Sequence, residues 1–197
     1  MSRLGGPLAL AIGLIVLPWL FPDNYYVTVV LTTALLHAIL AISLNLLMGY
    51  AGQISLGHAA FFGMGAYATA IMTSRFEWSP LAALLLGLAI SGSIAFLIAR
   101  PVLKLKGHYL AMATLGFGVI VSIVMVQAGD LTGGPDGMGD IAELSLFGWA
   151  VDSDLRWYAV ISVVFVFIVL LTANLIDSRS GRALRALHGS EIDQVGS

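Results

Sequence analysis

Ser55 and His58 are the pair in this chain whose types and spacing first suggest chemistry. A serine and a histidine three residues apart could act as nucleophile and base. They sit in GYAGQISLGHAAFFGMGAY, residues 49–67, which holds five glycines, a glutamine and these two polar side chains within an otherwise apolar sequence. Nucleophilic catalysis is a weak reading. No G-x-S-x-G elbow surrounds Ser55 and no acid stands nearby to orient the histidine. A metal site is weaker still, because no further His or carboxylate falls at ligand spacing. No enzymatic activity and no cofactor are expected. Two readings remain for the pair. His58 is a packing histidine, or it lines a polar path together with Gln53 and Ser55. The preceding segment adds a polar stripe, Thr33, His37 and Asn45, at spacings of four and eight with Ala41 between. Its residues read first as interhelical hydrogen-bonding groups, since polar side chains at membrane depth face a bundle interior or a cavity.

The composition decides what must position these groups. Of 197 residues, 59% are hydrophobic and 10% charged, and the mean hydropathy is +0.96. So few charges could not clothe a water-soluble domain of this size. The expected fold is all-α, a polytopic membrane helix bundle. Six apolar segments fall near residues 7–21, 25–48, 53–73, 80–99, 108–128 and 157–176; all but the first are near the length a bilayer requires, and the first, short and carrying Pro18, is expected to tilt or lie partly in the interface. The polar–apolar alternation of a membrane barrel is absent. Arg3 followed by an apolar run resembles a signal peptide, but Pro18 and Trp19 end the run and no A-x-A site follows, so it reads as an uncleaved first helix. The net charge of −2 gives no nucleic-acid signal, and with no Cys there is neither disulfide nor thiolate chemistry.

Strict alternation from a cytoplasmic N-terminus puts Arg3, Arg100, Lys104, Lys106, Arg179, Arg182 and Arg185 on one side, leaving only Arg75 and Arg156 outside. That asymmetry predicts both termini in the cytoplasm. Residues 129–156 then form an acidic external loop, and residues 177–197 a cytoplasmic one that carries Arg179, Arg182 and Arg185.

Small residues should set the packing. In lipid, helices associate through close backbone approach and hydrogen bonds more than through apolar burial. Ser55, Ala59 and Gly63, spaced by four, would share one helix face. Gly49, Gly52 and Gly57 predict an irregular or re-entrant start to the third segment. Gly133, Gly134, Pro135, Gly137 and Gly139 predict tight turns in the long loop.

Four blocks, in order, resemble a known family. SLNLLMGYAGQISLGHAAFFGMGAYATAIM (43–72), LKGHYLAMATLGFGVIV (105–121), LTGGPDGM (131–138) and SRSGRALRALHGSEI (178–192) are similar to the M-type permease subunits of bacterial ABC importers for branched-chain amino acids. The resemblance implies a single transmembrane permease domain over 1–197 in a bacterial or archaeal plasma membrane. It implies a second permease subunit, cytoplasmic ATP-binding subunits, an extracytoplasmic substrate-binding protein and an amino acid substrate, beside the lipid bilayer. A separate ATPase agrees with the lack of a G-x-x-x-x-G-K-[ST] motif here. Asn45, Gln53, Ser55, His58, Thr114, Gly116 and Gly118 are the expected translocation path; Gly57, Ala59 and Gly63 the helix packing; Thr132, Gly133, Gly134, Pro135 and Gly137 the receptor-facing loop. Gly181, Arg182, Arg185, Ser190 and Glu191 are the expected ATPase-coupling residues, where the residues alone equally suit a helix resting on anionic headgroups. Similar permeases carry urea or short amides, which is the alternative substrate class. Family members continue with further helices where this chain ends in EIDQVGS, so an incomplete C-terminus, and with it a non-functional truncated fragment, is a further expectation.

Overall fold

In the computed structural model, residues 5–20, 25–102, 104–105, 107–139, 141, 143–146, 149–179 and 181–182 are described. Each of the six apolar segments forms a helix: α1 (Gly5–Leu20), α2 (Tyr25–Asn45), α3 (His58–Phe76), α4 (Pro80–Val102) and α5 (His108–Gln127), with α6 a four-residue turn (Gly129–Thr132) and α7 (Asp154–Asp177) the last. A wider π turn, Leu46–Tyr50, extends α2. Two-residue strands, β1 (Ser145–Leu146) and β2 (Trp149–Ala150), pair antiparallel in the long loop. Among the described residues four helices are long and apolar enough to cross a membrane: Thr28–Tyr50, Pro80–Val102, His108–Gln127 and Asp154–Asp177. α1 has 16 residues and α3 has 19. α3 has the length, but Gly, Ala, Ser and Thr dilute its apolar character. Large apolar side chains stand outward on the helices, including Ile15, Leu88, Leu97 and Val163, as expected where the solvent is lipid.

The chain divides into two compact units, Met1–Gly52 with Asp152–Ser197, and Gln53–Val151. The first contains α1, α2 and α7. Leu35 of α2 and Tyr158 and Phe165 of α7 are its buried centre. Leu31, Ala38, Ile39 and Ile42 surround them from α2, Ile161 and Val169 from α7, and Leu14 from α1. The spacings on α2 and α7 are three and four, one apolar stripe on each. α7 starts where Ser153 accepts a hydrogen bond from the Arg156 N–H at 3.4 Å, with Asp154 in its first turn. Asp152 and Arg156 form an exposed ion pair at 2.7 Å beside it.

One contact in this unit follows from a single covalent fact. Pro18 lies inside α1. It has no N–H, so the carbonyl four residues before it, that of Leu14, loses its helical donor. The Tyr158 hydroxyl donates to that carbonyl at 2.7 Å. A side chain 144 residues away thus supplies the bond that proline removes.

The second unit contains α3 to α6 and the hairpin. α3 and α4 are in intimate contact along Gly65 and Thr69 on one side and Ala83, Gly87 and Ser91 on the other. A Cβ placed on Gly87 would come to 2.8 Å from Thr69 Oγ1 and 2.9 Å from the Gly65 carbonyl oxygen. Ala83 is fully buried. α3 closes on Glu77 in the left-handed conformation (φ 53°), while α4 opens on Pro80, where a missing N–H costs nothing. Val151, also fully buried, donates its N–H to Leu144 O at 2.8 Å and seals the base of the hairpin.

The Tyr158 bond yields an additivity test. Tyr158→Phe strands the Leu14 carbonyl and should destabilise the first unit by about 1–3 kcal/mol. In a Pro18→Ala background the new N–H takes that carbonyl, and the same change should cost clearly less. Detergent unfolding of the four variants measures the coupling; equal costs in both backgrounds would contradict the assignment.

Candidate functional site

The site begins where regular helix stops. After the π turn the chain runs non-helically from Ala51 to Gly57, with Gly52 at φ 70°, a conformation that glycine adopts without strain. α3 starts only at His58. The irregular start expected from the glycines is present, and it displaces Ser55. Ser55 lies three residues before the helix, so it does not share a helical face with Ala59 and Gly63, nor a helical turn with His58.

Such a stretch has peptide groups without helical partners, and α5 takes one of them. The Leu56 N–H donates to Thr114 Oγ1 at 3.0 Å, while the same hydroxyl donates to the Ala111 carbonyl at 3.0 Å. Thr114 is therefore both acceptor and donor, and its position on α5 is fixed from both sides. Gly57 is buried against this point; a Cβ there would strike the Thr114 carbonyl oxygen. A Cβ on Gly118 would rest 3.5 Å from the Gly57 Cα. One turn further on, the Phe61 and Phe117 rings lie 5.1 Å apart at 35°.

Of the sequence-selected path residues, the structure thus brings Thr114 and Gly118 against the stretch that carries Gln53 and Ser55, with His58 at its end. Gln53, Ser55 and His58 are half-buried. Gly116 is on the exposed side of α5, with nothing within 4 Å of a Cβ placed on it. Asn45 belongs to the other compact unit. It is exposed at the end of α2, its Oδ1 lying 2.6 Å from where a Gly49 Cβ would be. Beside the non-helical stretch, α3 and α5 enclose a groove of about 470 Å³ lined by Leu56, Ala59, Gly63, Gly118, Ser122 and Met125 among others. Its walls are largely apolar, and Tyr67 and Ser122 are its polar side chains. Gly63 faces Met125, whose Cε and Sδ would be 3.4 and 3.5 Å from an added Cβ.

The Thr-Gly-Gly turn is explained by the end of α5. Thr132 is buried. Its hydroxyl lies 2.5 Å from the Met125 carbonyl and 2.9 Å from that of Ala128, and it accepts from the Gly134 N–H at 3.3 Å. One hydroxyl thereby serves groups that the helix terminus leaves over. Gly133 (φ 77°) has the Gly137 carbonyl where a Cβ would be, so no other residue fits. Pro135 lies in the 3₁₀ turn Gly134–Asp136. A smaller hollow of about 190 Å³ between α3 and this loop is lined by Ala66, Tyr67, Ala70, Met138 and Ile141.

At the far end, Ser178 ends α7 and accepts from the Gly181 N–H at 3.2 Å. A Cβ on Gly181 would collide with the carbonyl oxygens of Leu175 and Ile176, so glycine allows the chain to fold back on α7. Arg182 donates to the Asp177 carbonyl at 3.2 Å. Arg185, Ser190 and Glu191 lie outside the described residues.

Sequence reasoning did not single out Gly65, Gly87 and Ser91. Ala83-xxx-Gly87-xxx-Ser91 is a small-xxx-small repeat that could have marked that face of α4.

An apolar helical chain with a broken segment, tied to a neighbouring helix by threonine and glycine, defines a multi-pass membrane protein. The chain belongs to the family described as branched-chain amino acid transport system / permease component, whose model matches residues 26–192. It is similar to the high-affinity branched-chain amino acid transport system permease protein LivM of Salmonella typhimurium, 34% identical over 139 residues, covering 71% of this chain and 33% of that relative. It is also similar to LivM of Escherichia coli, 30% identical over 197 aligned residues, covering 88% of this chain and 46% of that relative. The chain therefore spans between a third and about half of the length of these curated relatives. No solved structure matches it significantly.

The two glycines on α3 and α4 should respond differently to one methyl group. Gly87→Ala presses on the Gly65 backbone, which cannot turn aside, and should cost about 1–3 kcal/mol. Gly63→Ala meets only the flexible end of Met125 and should be nearly neutral. Thermal unfolding in detergent compares them; a neutral Gly87→Ala would refute the close α3–α4 approach.

Proposed function

We propose that this chain is a permease subunit of an ABC importer and forms part of the translocation path for branched-chain amino acids. The observation that carries the reading is the non-helical stretch from Ala51 to Gly57, between two apolar helices and tied to α5 through Thr114. At membrane depth, irregular backbone is tolerated only where protein covers it or water fills a cavity. A branched-chain amino acid has a zwitterionic end and an aliphatic tail. The peptide groups of this stretch, with Gln53, Ser55 and His58, suit the first. The apolar α3–α5 groove beside it suits the second. Neither carries a fixed charge that would trap the solute. Family membership and the two LivM relatives, which are named for this transport, support the substrate class.

In this reading the subunit works with a second permease subunit, cytoplasmic ATP-binding subunits and an extracytoplasmic substrate-binding protein. The Thr132–Gly137 turn faces the binding protein. The segment beginning at Gly181 and Arg182 seats on the ATPase and continues through Arg185, Ser190 and Glu191. Both termini are cytoplasmic, as the Lys/Arg asymmetry favours.

The test uses the whole transport system in membrane vesicles, with radiolabelled leucine. Thr114→Val removes the hydroxyl that holds Leu56 and bonds Ala111. Losing about 1 kcal/mol of net hydrogen bonding there should lower uptake about fivefold, with the chain still inserted. Thr114→Ser should keep uptake near the parent's. Parent-like uptake by Thr114→Val, or uptake inhibited by excess urea and indifferent to excess valine, would contradict the proposal.

A further inference from the structure

Two hollows of the Gln53–Val151 unit meet at one side chain. Among the described residues, Tyr67 alone lines both the α3–α5 groove and the smaller hollow between α3 and the loop. The groove starts beside the broken stretch, at Leu56 and Gly118, and runs along Ala59, Gly63 and Tyr67. These three α3 residues are spaced by four, so this wall is roughly 12 Å long. On the other side of Tyr67, Ala66 and Ala70 share the second hollow with Met138 and Ile141 of the loop. Tyr67 therefore stands where the loop-side hollow ends and the groove begins.

The ring has room to move. A long side chain on a helix lies back over the residue four before it. For Tyr67 that residue is Gly63, which offers no side chain to stop it. The wall opposite Gly63 is the flexible end of Met125, and Met138 lines the hollow on the other side; unbranched thioether chains re-pack readily. Tyr67 is half-buried, and no described residue hydrogen-bonds its hydroxyl. Tyr158 is the contrast, buried and bonded to the Leu14 carbonyl. The surroundings are fixed. Thr114 ties α5 to the broken stretch. The loop is held by the Thr132 hydroxyl and by the Gly137 N–H, which donates to Gly134 O at 3.2 Å. Between a pinned loop and a pinned helix, the Tyr67 ring is the part that can open or close the way.

We infer that Tyr67 is the gate between the loop-side hollow and the groove, and that the solute enters the groove by displacing its ring. This rests on the groove's being the path of the aliphatic tail. The test uses the assembled transport system and a membrane-impermeant thiol reagent added on the loop side, since the parent contains no Cys. The probe is Ser122→Cys in the groove. A gate whose open state is a minor population, about a tenth or less, slows passage in proportion. Tyr67→Ala should therefore speed modification at position 122 about tenfold or more, and the larger Tyr67→Trp should slow it. Gly139→Cys, in open space in the loop, should react equally in all three backgrounds. A loosened bundle would instead react faster with either substitution. Equal rates at position 122 in the three backgrounds, or faster rates with both substitutions, would overturn the gate. Leucine uptake separates this failure from that of the path. If labelling follows Tyr67 but Tyr67→Trp takes up leucine as fast as the parent, leucine does not use the groove, and the solute gate falls with that reading.

Discussion

A peptide group in hydrocarbon has no water to turn to, and this constraint governs most of what is specific about the chain. Its helices satisfy their own backbone, and the polar side chains on them mostly bond back to it. Thr32 donates to Thr28 O, Thr69 to Gly65 O, Thr73 to Thr69 O and Ser74 to Ala70 O, each within one turn. At three places where the ladder is broken, a substitute is present. Tyr158 serves the carbonyl that Pro18 orphans. Thr132 gathers the loose end of α5, and Thr114 reaches the non-helical stretch before α3. Hydroxyls thus serve backbone groups at many of the described positions, and the break at Ala51–Gly57 is the place where they serve a segment that need not have been irregular.

The glycines act on the same problem from the steric side. Gly57 and Gly118 let the broken stretch lie directly on α5, close enough for the Thr114 hydroxyl to reach it. Gly87 lets α4 lie on the backbone of α3. In lipid, where apolar burial adds little, this proximity is the main source of packing energy. α3 is thereby held on both sides, by α4 through Gly65 and Thr69 and by α5 through Phe61 and Gly63. A groove between α3 and α5 persists because Ala59, Gly63, Gly118 and Ser122 are too small to fill it.

Much of this architecture was legible in the sequence. Runs of apolar residues gave all six segments, because the bilayer imposes a length, and four of them form helices that meet length and apolarity together. Gly52 announced the irregular start and the Thr-Gly-Gly run a turn, because left-handed backbone selects glycine, while Gly57 is required by its close approach to the Thr114 backbone. The phase of α3 was not legible. Its small residues fall on several faces at spacing four, and which face packs depends on where the helix begins. Beginning at His58, it leaves Ser55 outside and turns Gly65 and Thr69 toward α4. The Pro18–Tyr158 relation was also hidden: a proline shows which carbonyl it orphans, but not which side chain, 144 residues on, will answer it. The compensation depends on tertiary packing that no local pattern encodes.

The central claim is that the broken stretch before α3 lines a watered path for an aliphatic zwitterion. The most direct measurement is the reactivity of a single cysteine at Ser55 in the otherwise cysteine-free chain, assembled with its transport partners. The account predicts that a membrane-impermeant, water-soluble thiol reagent modifies Ser55→Cys, that Val163→Cys on the lipid-facing side of α7 stays inert, and that excess leucine slows the reaction at position 55. A Cys at position 55 as inert as the one at 163, or modified at the same rate with and without leucine, would contradict it.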